Sequence, residues 1–522
     1  MSASHKDAQA FYETKQKAVK YYLENGVPQK MEEILNSMFY DDPEDIYGHL
    51  ANYFDQYIKP AVITKRLSLC ISPATNTHLP DNARLEDREA DEQKRTESVK
   101  AAVNYINNEI SSKLKDMKPT DQQQIDAILK GKGGKISVVA VIPEEPREHF
   151  PQGSEMVCAV SQAICVAGAR AQALAQGVPL YEHISSLYHT EPCQLRMPLP
   201  IVTIMQSGKA ALGKLNCVKE FMVIPSPGLS YTQSLDYITG IYYYIEKSLS
   251  SKGGVGLKTV SETGALCPVF EKPEQGLDLL QEAITAANLT PGEDIHIAIN
   301  AAAHEMFDFE KGKYEVMTGV LKGADDLVDF WVELMSRYPS IMIVIDPTRK
   351  LDRDQWMRLC DRITEWCFVA GDRIFNRPGV LMYEQLPEQM MTGATVLAME
   401  NMTTLSDMMG CARKMEAAGN QIILSARSGE TQDDFLADLA VGMNARFIKL
   451  GAPNRGERVS KFNRLLQIEA ELEASGKLAP QVDHEFVHIA LPPPEGEGEE
   501  GPPPASPAST KETKKEEKGK KK

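Results

Sequence analysis

Apolar and polar positions follow two different periods along the chain, which predicts helices interleaved with short strands. Between residues 97 and 485, stretches with helical spacing alternate with β-branched runs such as Ile295–Asn300 and Ile341–Asp346. Residues 366–372 and 421–425 form two more such runs, and all four close on a polar residue. This alternation indicates a mainly parallel α/β domain. In barrels of that kind the functional residues lie where strands end, so the closing residues are candidates for a site.

Residues 1–62 carry a different pattern, with apolar side chains at helical spacing on both sides of a break. Met31, Ile34, Leu35 and Met38 form one stripe, and a second stripe follows an Asp-Asp-Pro sequence. Such spacing predicts two short amphipathic helices. Because helices of this size cannot form a core alone, we predict a helical hairpin that becomes stable by dimerising. A hairpin that packs on the rest of the chain is the alternative.

Two segments have compositions that do not favour a folded core. Residues 63–96 are polar and charged, which predicts a linker. Residues 486–522 are rich in Pro, Glu and Lys. Segments with so few apolar residues cannot offset the entropy of folding, so we predict a disordered tail.

Composition and charge exclude several classes of protein. The net charge of −16 argues against a nucleic-acid surface, which needs a basic field. No apolar run approaches the roughly 20 residues of a membrane span, and the first residues lack the apolar core of a secretory signal. We therefore expect no membrane insertion and a cytoplasmic location. The nine cysteines are scattered without a CxxC pair, which predicts free thiols rather than a disulfide framework or a zinc site.

The block from Leu424 to Lys461 carries a family resemblance. It reads LSARSGETQDDFLADLAVGMNARFIKLGAPNRGERVSK, and it resembles the corresponding block of the enolase family. The resemblance extends over residues 97–485 and implies an α/β fold with an enolase-type (β/α)8 barrel at residues 191–485. A reduced N-terminal domain with a lead-in helix is implied at residues 97–190.

Enolases interconvert 2-phosphoglycerate and phosphoenolpyruvate with Mg²⁺, which stabilises the charged enediolate formed by proton abstraction. The resemblance implies a general acid at Glu262. It also implies that a phosphorylated small molecule is held by substrate-binding residues at Glu220, Arg427, Ser428 and Lys449. A guanidinium suits phosphate oxygens, and carboxylates suit Mg²⁺.

Other positions of the family site carry different residues in this chain. The three metal carboxylates fall on Asn300, Ile345 and Asp372, of which Asn300 offers only a neutral oxygen. The family's base lysine falls on Met399. Efficient turnover is therefore not expected, since a missing base alone removes about 10² to 10⁴ in rate.

The enolase resemblance is compatible with two interpretations. In the first, the chain is an impaired or inactive enolase that binds or supports other molecules. In the second, it is an active phosphopyruvate hydratase in which Glu400 replaces the base, with Asp372 and Asn300 holding the metal.

The first 62 residues resemble a dimerisation/docking domain shared by kinase regulatory subunits and Dpy-30-like proteins. That resemblance implies a homodimer whose groove receives an amphipathic helix of an anchoring protein. Together with the divergent enolase body and the tail, it is similar to a sperm-associated branch of the enolase family. A motile cilium or sperm flagellum is the setting that this similarity implies.

Overall fold

The structure is a computed structural model of the single chain. It describes residues 15–17, 19–20, 22–24, 26–41, 49–50, 53, 84–105, 108, 111–114, 122–129, 166, 168–174, 176–209, 211, 213–251, 260–363, 366–372, 392–399, 404–427 and 430–480. Contacts divide the chain into two compact units, residues 1–64 with 115–118, and the remainder. The predicted tail and most of the predicted linker lie outside the described residues, as do Ser428 and Glu400.

The described helices are α1 Val27–Asp41, α2 Leu85–Tyr105, α3 Ser111–Leu114, α4 Gln122–Leu129, α5 Leu180–Tyr188, α6 Tyr231–Ser251, α7 Pro273–Ala286, α8 Ala303–Met306, α9 Ala324–Arg337, α10 Arg353–Ile363, α11 Leu405–Ala417, α12 Phe435–Gly442 and α13 Gly456–Ser475. The described strands are β1 Leu199–Gln206, β2 Glu220–Pro225, β3 Ile295–Asn300, β4 Phe307–Asp308, β5 Lys313–Met317, β6 Val320–Lys322, β7 Ile341–Ile345, β8 Phe368–Gly371, β9 Ala394–Leu397, β10 Gln421–Ser425 and β11 Phe447–Gly451.

Eight of these strands close into a barrel in the order β1-β11-β10-β9-β8-β7-β3-β2, which confirms the predicted fold class. The four runs with β-branched residues are strands β3, β7, β8 and β10. Strand β2 departs from the parallel pattern, because it runs antiparallel to both β1 and β3. Antiparallel neighbours can be joined by a short connection, and residues 207–219 join β1 to β2 in this way. The connection from β2 to β3 is longer and contains helices α6 and α7.

The barrel interior is an apolar core to which every barrel strand contributes. Alternate residues point inward, as the period of a strand requires. The buried set is Leu199, Ile201, Met222, Ile224, Ala298, Ile343, Ile345, Phe368, Ala370, Ala394, Val396, Ile423 and Phe447. This register fixes which residue of each strand reaches the end of the barrel at which the parallel strands terminate and the antiparallel β2 begins. We call this end the mouth.

A three-stranded sheet, β4-β5-β6, follows β3 and is joined to the segment after β7. The guanidinium carbon of Arg349 lies 3.1 Å from the ring centroid of Phe307. Arg349 also donates to both carboxylate oxygens of Asp352, at 3.1 and 3.3 Å. A cation over an aromatic face with a carboxylate partner fixes the segments that follow β3 and β7.

Helix α1 in the N-terminal unit covers the first predicted apolar stripe. Ile34 is buried, but Leu35 is 55% exposed and Phe39 is 83% exposed. The second predicted helix lies largely outside the described residues. In the other unit, α2 begins at Leu85, so the predicted linker boundary at residue 96 falls inside a helix.

Within the described residues, no helix combines the length and the apolar character needed to cross a membrane. The described cysteines are free thiols, namely Cys193, Cys217, Cys267, Cys360, Cys367 and Cys411.

Candidate active site

One residue per strand continues the inward alternation at the barrel mouth. Strand pairing places Glu220 opposite Asn300, Asn300 opposite Ile345, and Ser425 opposite Lys449. We call the eight residues the mouth ring; in barrel order they are Lys449, Thr203, Glu220, Asn300, Ile345, Asp372, Ala398 and Ser425.

Glu220 accepts hydrogen bonds from three neighbouring strands. The ammonium of Lys449 lies 2.9 Å from Oε1 and 2.8 Å from Oε2. Thr203 Oγ1 donates to Oε1 at 3.1 Å, and Asn300 Nδ2 donates to Oε2 at 2.7 Å. Burial by itself raises the pKa of Glu220, but the charge and hydrogen bond of Lys449 and the amide of Asn300 outweigh it, so the pKa is lowered. Glu220 is therefore held as a carboxylate.

Asn300, to which the resemblance assigns the first metal ligand, has both ends of its amide engaged. Its nitrogen donates to Glu220, and its Oδ1 accepts from the backbone N–H of Ala302 at 3.0 Å. Ala302 adopts a left-handed conformation with φ of 43°. The Asn300 oxygen is thus directed into a backbone turn.

Asp372, to which the resemblance assigns the third metal ligand, forms a bidentate ion pair with Arg427. Both terminal guanidinium nitrogens donate to the carboxylate, one to each oxygen. The backbone N–H of Asp372 donates to Asp346 Oδ1 at 2.9 Å. Arg427, to which the resemblance assigns a phosphate contact, therefore binds a carboxylate of the protein in this structure.

Two ring positions, Ile345 and Ala398, are apolar where the resemblance implies a carboxylate and an amine. Ile345, to which the resemblance assigns the second metal ligand, is 1% exposed and belongs to the barrel core. On β9 the inward residues are Ala394 and Val396, so the next barrel-facing residue is Ala398 and not Met399. The strand register thus assigns the base position to Ala398, whereas the sequence analysis assigned it to Met399, because a one-residue shift moves a side chain to the other face. Neither side chain can act as a general base.

Glu262 is exposed on a loop that lies against the ends of β1 and β11. The carbonyl of Thr263 accepts from the N–H of Ala452 at 2.8 Å, and Thr263 Oγ1 donates to Gln206 Oε1 at 3.2 Å. Close approach depends on Gly451, because a Cβ there would lie 2.7 Å from the Thr263 carbonyl oxygen. The proposed acid thus lies beside the mouth, on the Lys449 side.

Buried basic residues that the sequence analysis did not single out support the Arg427 loop. Arg458 is 1% exposed and donates to the carbonyl of Arg427 at 2.7 Å. Lys461 pairs with Glu430 at 3.1 Å, and Glu430 Oε1 accepts from the N–H of Arg427 at 3.2 Å. Both basic residues lie within the block that carries the family resemblance. Their spacing of three residues, which places them on one face of α13, was the sequence signal that could have identified them. Thr203 was also missed, although it continues the alternation of Leu199 and Ile201.

The described residues at the three metal positions do not fit Mg²⁺. A hard cation needs several oxygens in near-octahedral array. Here Ile345 offers none, the Asn300 oxygen accepts a backbone N–H, and both Asp372 oxygens accept from Arg427. In the part of the chain that the structure describes, no group of three His, Cys, Asp or Glu residues is arranged to hold a metal.

A closed barrel with an antiparallel second strand, and with Glu220, Arg427 and Lys449 at its mouth, defines an enolase-type barrel protein. Residues 194–485 match the family described as Enolase, C-terminal TIM barrel domain, and the chain belongs to the enolase family. Members of that family are glycolytic lyases that generally use Mg²⁺.

Similar proteins span nearly the full length of the chain. The protein named Enolase 4 in Xenopus laevis is 34% identical over 558 residues, covering 93% of this chain and 97% of that protein. Enolase 4 of Homo sapiens is 32% identical over 570 residues, covering 91% of each. Enolase 4 of Danio rerio is 32% identical over 550 residues, covering 90% of this chain and 93% of the relative.

Proposed function

We propose that this enolase-family protein has lost efficient interconversion of 2-phosphoglycerate and phosphoenolpyruvate and acts as an anchored binding or structural component. One observation carries the proposal: the carboxylates that remain in the mouth ring, Glu220 and Asp372, are each neutralised by a basic side chain of the protein. The positions that would supply a second metal carboxylate and a base are apolar.

The energetics of the reaction support this proposal. Stabilisation of charge in the transition state is usually the largest catalytic term, and one misplaced donor already reduces kcat by about 10² to 10³. Loss of a base removes a further factor of about 10² to 10⁴. A mouth that lacks the base at Ala398 and a carboxylate at Ile345 loses both contributions.

The retained basic residues support binding of a phosphorylated small molecule. Arg427, Ser428 and Lys449 correspond to the family's phosphate and carboxylate ligands. Arg427 and Lys449 are engaged by Asp372 and Glu220, so a phosphorylated ligand exchanges with these carboxylates when it binds. Such exchange predicts weaker binding than in a mouth whose basic groups have no acidic partner.

Anchoring would come from the N-terminal unit. Helix α1 exposes Met31, Leu35, Phe39 and Tyr40, and exposed apolar side chains on a helix favour association with another helix. We propose a homodimer that binds an amphipathic helix of an anchoring protein. A motile cilium or sperm flagellum is the proposed setting, which rests on the resemblance of the module, the divergent body and the tail to a sperm-associated branch.

The activity is tested by assaying the full chain at high concentration for Mg²⁺-dependent formation of phosphoenolpyruvate. We expect no turnover above background in the parent or in the Glu262→Gln variant. Turnover in the parent that Glu262→Gln abolishes would contradict the proposal, because Glu262 is the implied acid. That result would favour the second candidate, an active phosphopyruvate hydratase, which the retention of Glu220, Glu262, Arg427 and Lys449 supports.

Anchoring is tested on the full chain by sedimentation and by titration with a labelled amphipathic helix. Leu35→Glu places a charge on the exposed apolar face of α1, whereas Glu32→Gln at a neighbouring exposed position is the matched control. We expect helix binding to be lost only in Leu35→Glu. A parent chain without helix affinity, or equal binding by both variants, would refute the docking role.

A further inference from the structure

We propose that Asn300 and the Glu220–Lys449 and Asp372–Arg427 ion pairs take the structural place of a divalent cation, so that the barrel mouth is assembled independently of metal. Asn300 is then the residue that selects this arrangement. The inference rests on the proposed function in one respect, namely that the retained acids do not serve a metal-assisted reaction.

The charge pattern of the mouth is the reverse of that in a metal centre. A bound cation gathers carboxylates around itself, whereas here a carboxylate gathers donors. Glu220 is 4% exposed and accepts from Lys449, Asn300 and Thr203. An ionised carboxylate has about four lone-pair sites, and these contacts use both of its oxygens. A cation could approach Glu220 only by displacing a donor that is itself buried.

The side chain of Asn300 acts as both donor and acceptor at the mouth. Its nitrogen donates to Glu220 at 2.7 Å, and its oxygen accepts from the N–H of Ala302 at 3.0 Å. An aspartate could keep the second bond but not the first, because an ionised carboxylate has no proton to donate. It would instead place two negative charges in contact, which a divalent cation could relieve. One amide nitrogen therefore separates the metal-free arrangement from one that needs a cation.

The second ion pair extends the arrangement across the mouth. Arg427 occupies both oxygens of Asp372, and the carbonyl of Arg427 accepts from the buried Arg458. The Arg427 side chain is thus held by Asp372 and its backbone by Arg458, and both partners lie mostly out of solvent. Because a buried charge is tolerated only when it is paired, the two ion pairs neutralise the charges of the mouth without an external ion.

The test follows thermal unfolding of the full chain in EDTA and in millimolar Mg²⁺, together with Mn²⁺ binding by electron paramagnetic resonance. We expect the parent to unfold at the same temperature in both solutions. Asn300→Asp should unfold at least about 2 °C lower in EDTA and recover part of this shift in Mg²⁺. Asn300→Ala should also unfold at a lower temperature, but without recovery in Mg²⁺.

Asn288→Asp is the matched control, since it makes the same substitution at an exposed residue. It should change neither the unfolding temperature nor its response to Mg²⁺. We also expect Asn300→Asp to bind more Mn²⁺ than either the parent or Asn288→Asp. The comparison with Asn288→Asp corrects for weak Mn²⁺ binding by other acidic residues.

Saturable stabilisation of the parent by Mg²⁺ would overturn the inference, and so would an Asn300→Asp variant as stable in EDTA as the parent. If Asn300→Asp does not fold, the Mg²⁺ titrations of the parent and of Asn300→Ala still decide whether the mouth is assembled independently of metal. Parent protein that binds Mn²⁺ at the mouth without forming phosphoenolpyruvate overturns the inference and leaves the proposed loss of turnover standing. Mg²⁺-dependent turnover overturns both.

Discussion

The two halves of the mouth ring differ in how their side chains are stabilised. The Glu220 half comprises Lys449, Thr203, Glu220 and Asn300 on four adjacent strands, and its members hydrogen-bond to one another. The Ile345 half comprises Ile345, Asp372, Ala398 and Ser425 on the other four strands. Ser425 donates to the carbonyl of its neighbour Ala426, and Asp372 bonds to Arg427 beyond the ring.

The difference shows which parts of a catalytic site can change one residue at a time. Removing one member of a buried ion pair leaves an uncompensated charge, so Glu220 and Lys449 are stable only together. Ile345 and Ala398 have no such dependence, because an apolar side chain simply joins the core. Ile345 and Ala398, to which the resemblance assigns a metal carboxylate and the base, both lie in the Ile345 half.

The largest effect is expected where the Glu220 half is broken. Lys449→Met should lower the free energy of unfolding by about 3–5 kcal/mol, because it leaves Glu220 buried without its cation. Chemical denaturation of the full chain measures this. Lys477→Met is the control, since the Lys477–Glu182 pair is largely exposed on the lysine side and should be worth about 0–1 kcal/mol. Equal losses in the two variants would contradict the central role of Lys449.

The Ile345 half should respond to volume rather than charge. Ile345→Ala should lower the free energy of unfolding by about 2–5 kcal/mol, and Ile345→Val by about 0.5–1.5 kcal/mol, because the side chain is part of the packed core. The same denaturation experiment compares them. If alanine and valine have equal effects, Ile345 does not pack in the way described.

A smaller effect is expected at the contact between the Glu262 loop and the Glu220 half. Gly451→Ala introduces a Cβ at φ of 87° and 2.7 Å from the Thr263 carbonyl oxygen. Gly419→Ala is the control, with φ of 82° but no atom within 4 Å of the added Cβ. Each should lower the unfolding free energy by about 1–2 kcal/mol through backbone strain. The excess in Gly451→Ala measures the close approach, and its absence would show that the loop moves freely.

The smallest effect concerns the pH dependence of stability. The pKa of Glu220 is lowered in the folded protein, with the Lys449 charge and hydrogen bonds outweighing burial. Its contribution is therefore present above the unfolded-state pKa near 4.5 and is lost as pH falls through the lower folded-state pKa. Denaturation between neutral and acid pH should show a steeper loss below this value in the parent than in Glu220→Gln. Parallel curves would contradict the assignment.

Much of the barrel could be predicted because strand periodicity is local. The runs at residues 295–300 and 421–425 are read from neighbouring residues, and their ends fall at the mouth. The base position shows the limit of this reasoning. One residue separates Met399 from Ala398, and only the pairing of β9 with its neighbours decides which one faces the barrel.

The pairings at the mouth could not be predicted, because they join residues far apart in sequence. Glu220 and Lys449 are 229 residues apart, and Glu220 and Asn300 are 80 apart. The sequence indicated that Asn300 replaces a carboxylate, but not that its nitrogen would bond to Glu220. Likewise Arg427 was assigned to a phosphate and Asp372 to a metal, whereas the structure brings them together.

Two left-handed residues near the mouth bear on how this protein could be redesigned. Ala302 has φ of 43° and Asp346 has φ of 47°, and they follow the ring residues Asn300 and Ile345, to which the resemblance assigns metal ligands. Such conformations cost about 1–3 kcal/mol and persist only where the surrounding structure imposes them. The turns are also joined to each other, since the N–H of Ala303 donates to the carbonyl of Asp346 at 3.0 Å. A designer who wished to place metal ligands at Asn300 and Ile345 would therefore exchange side chains next to two turns whose backbone is already fixed.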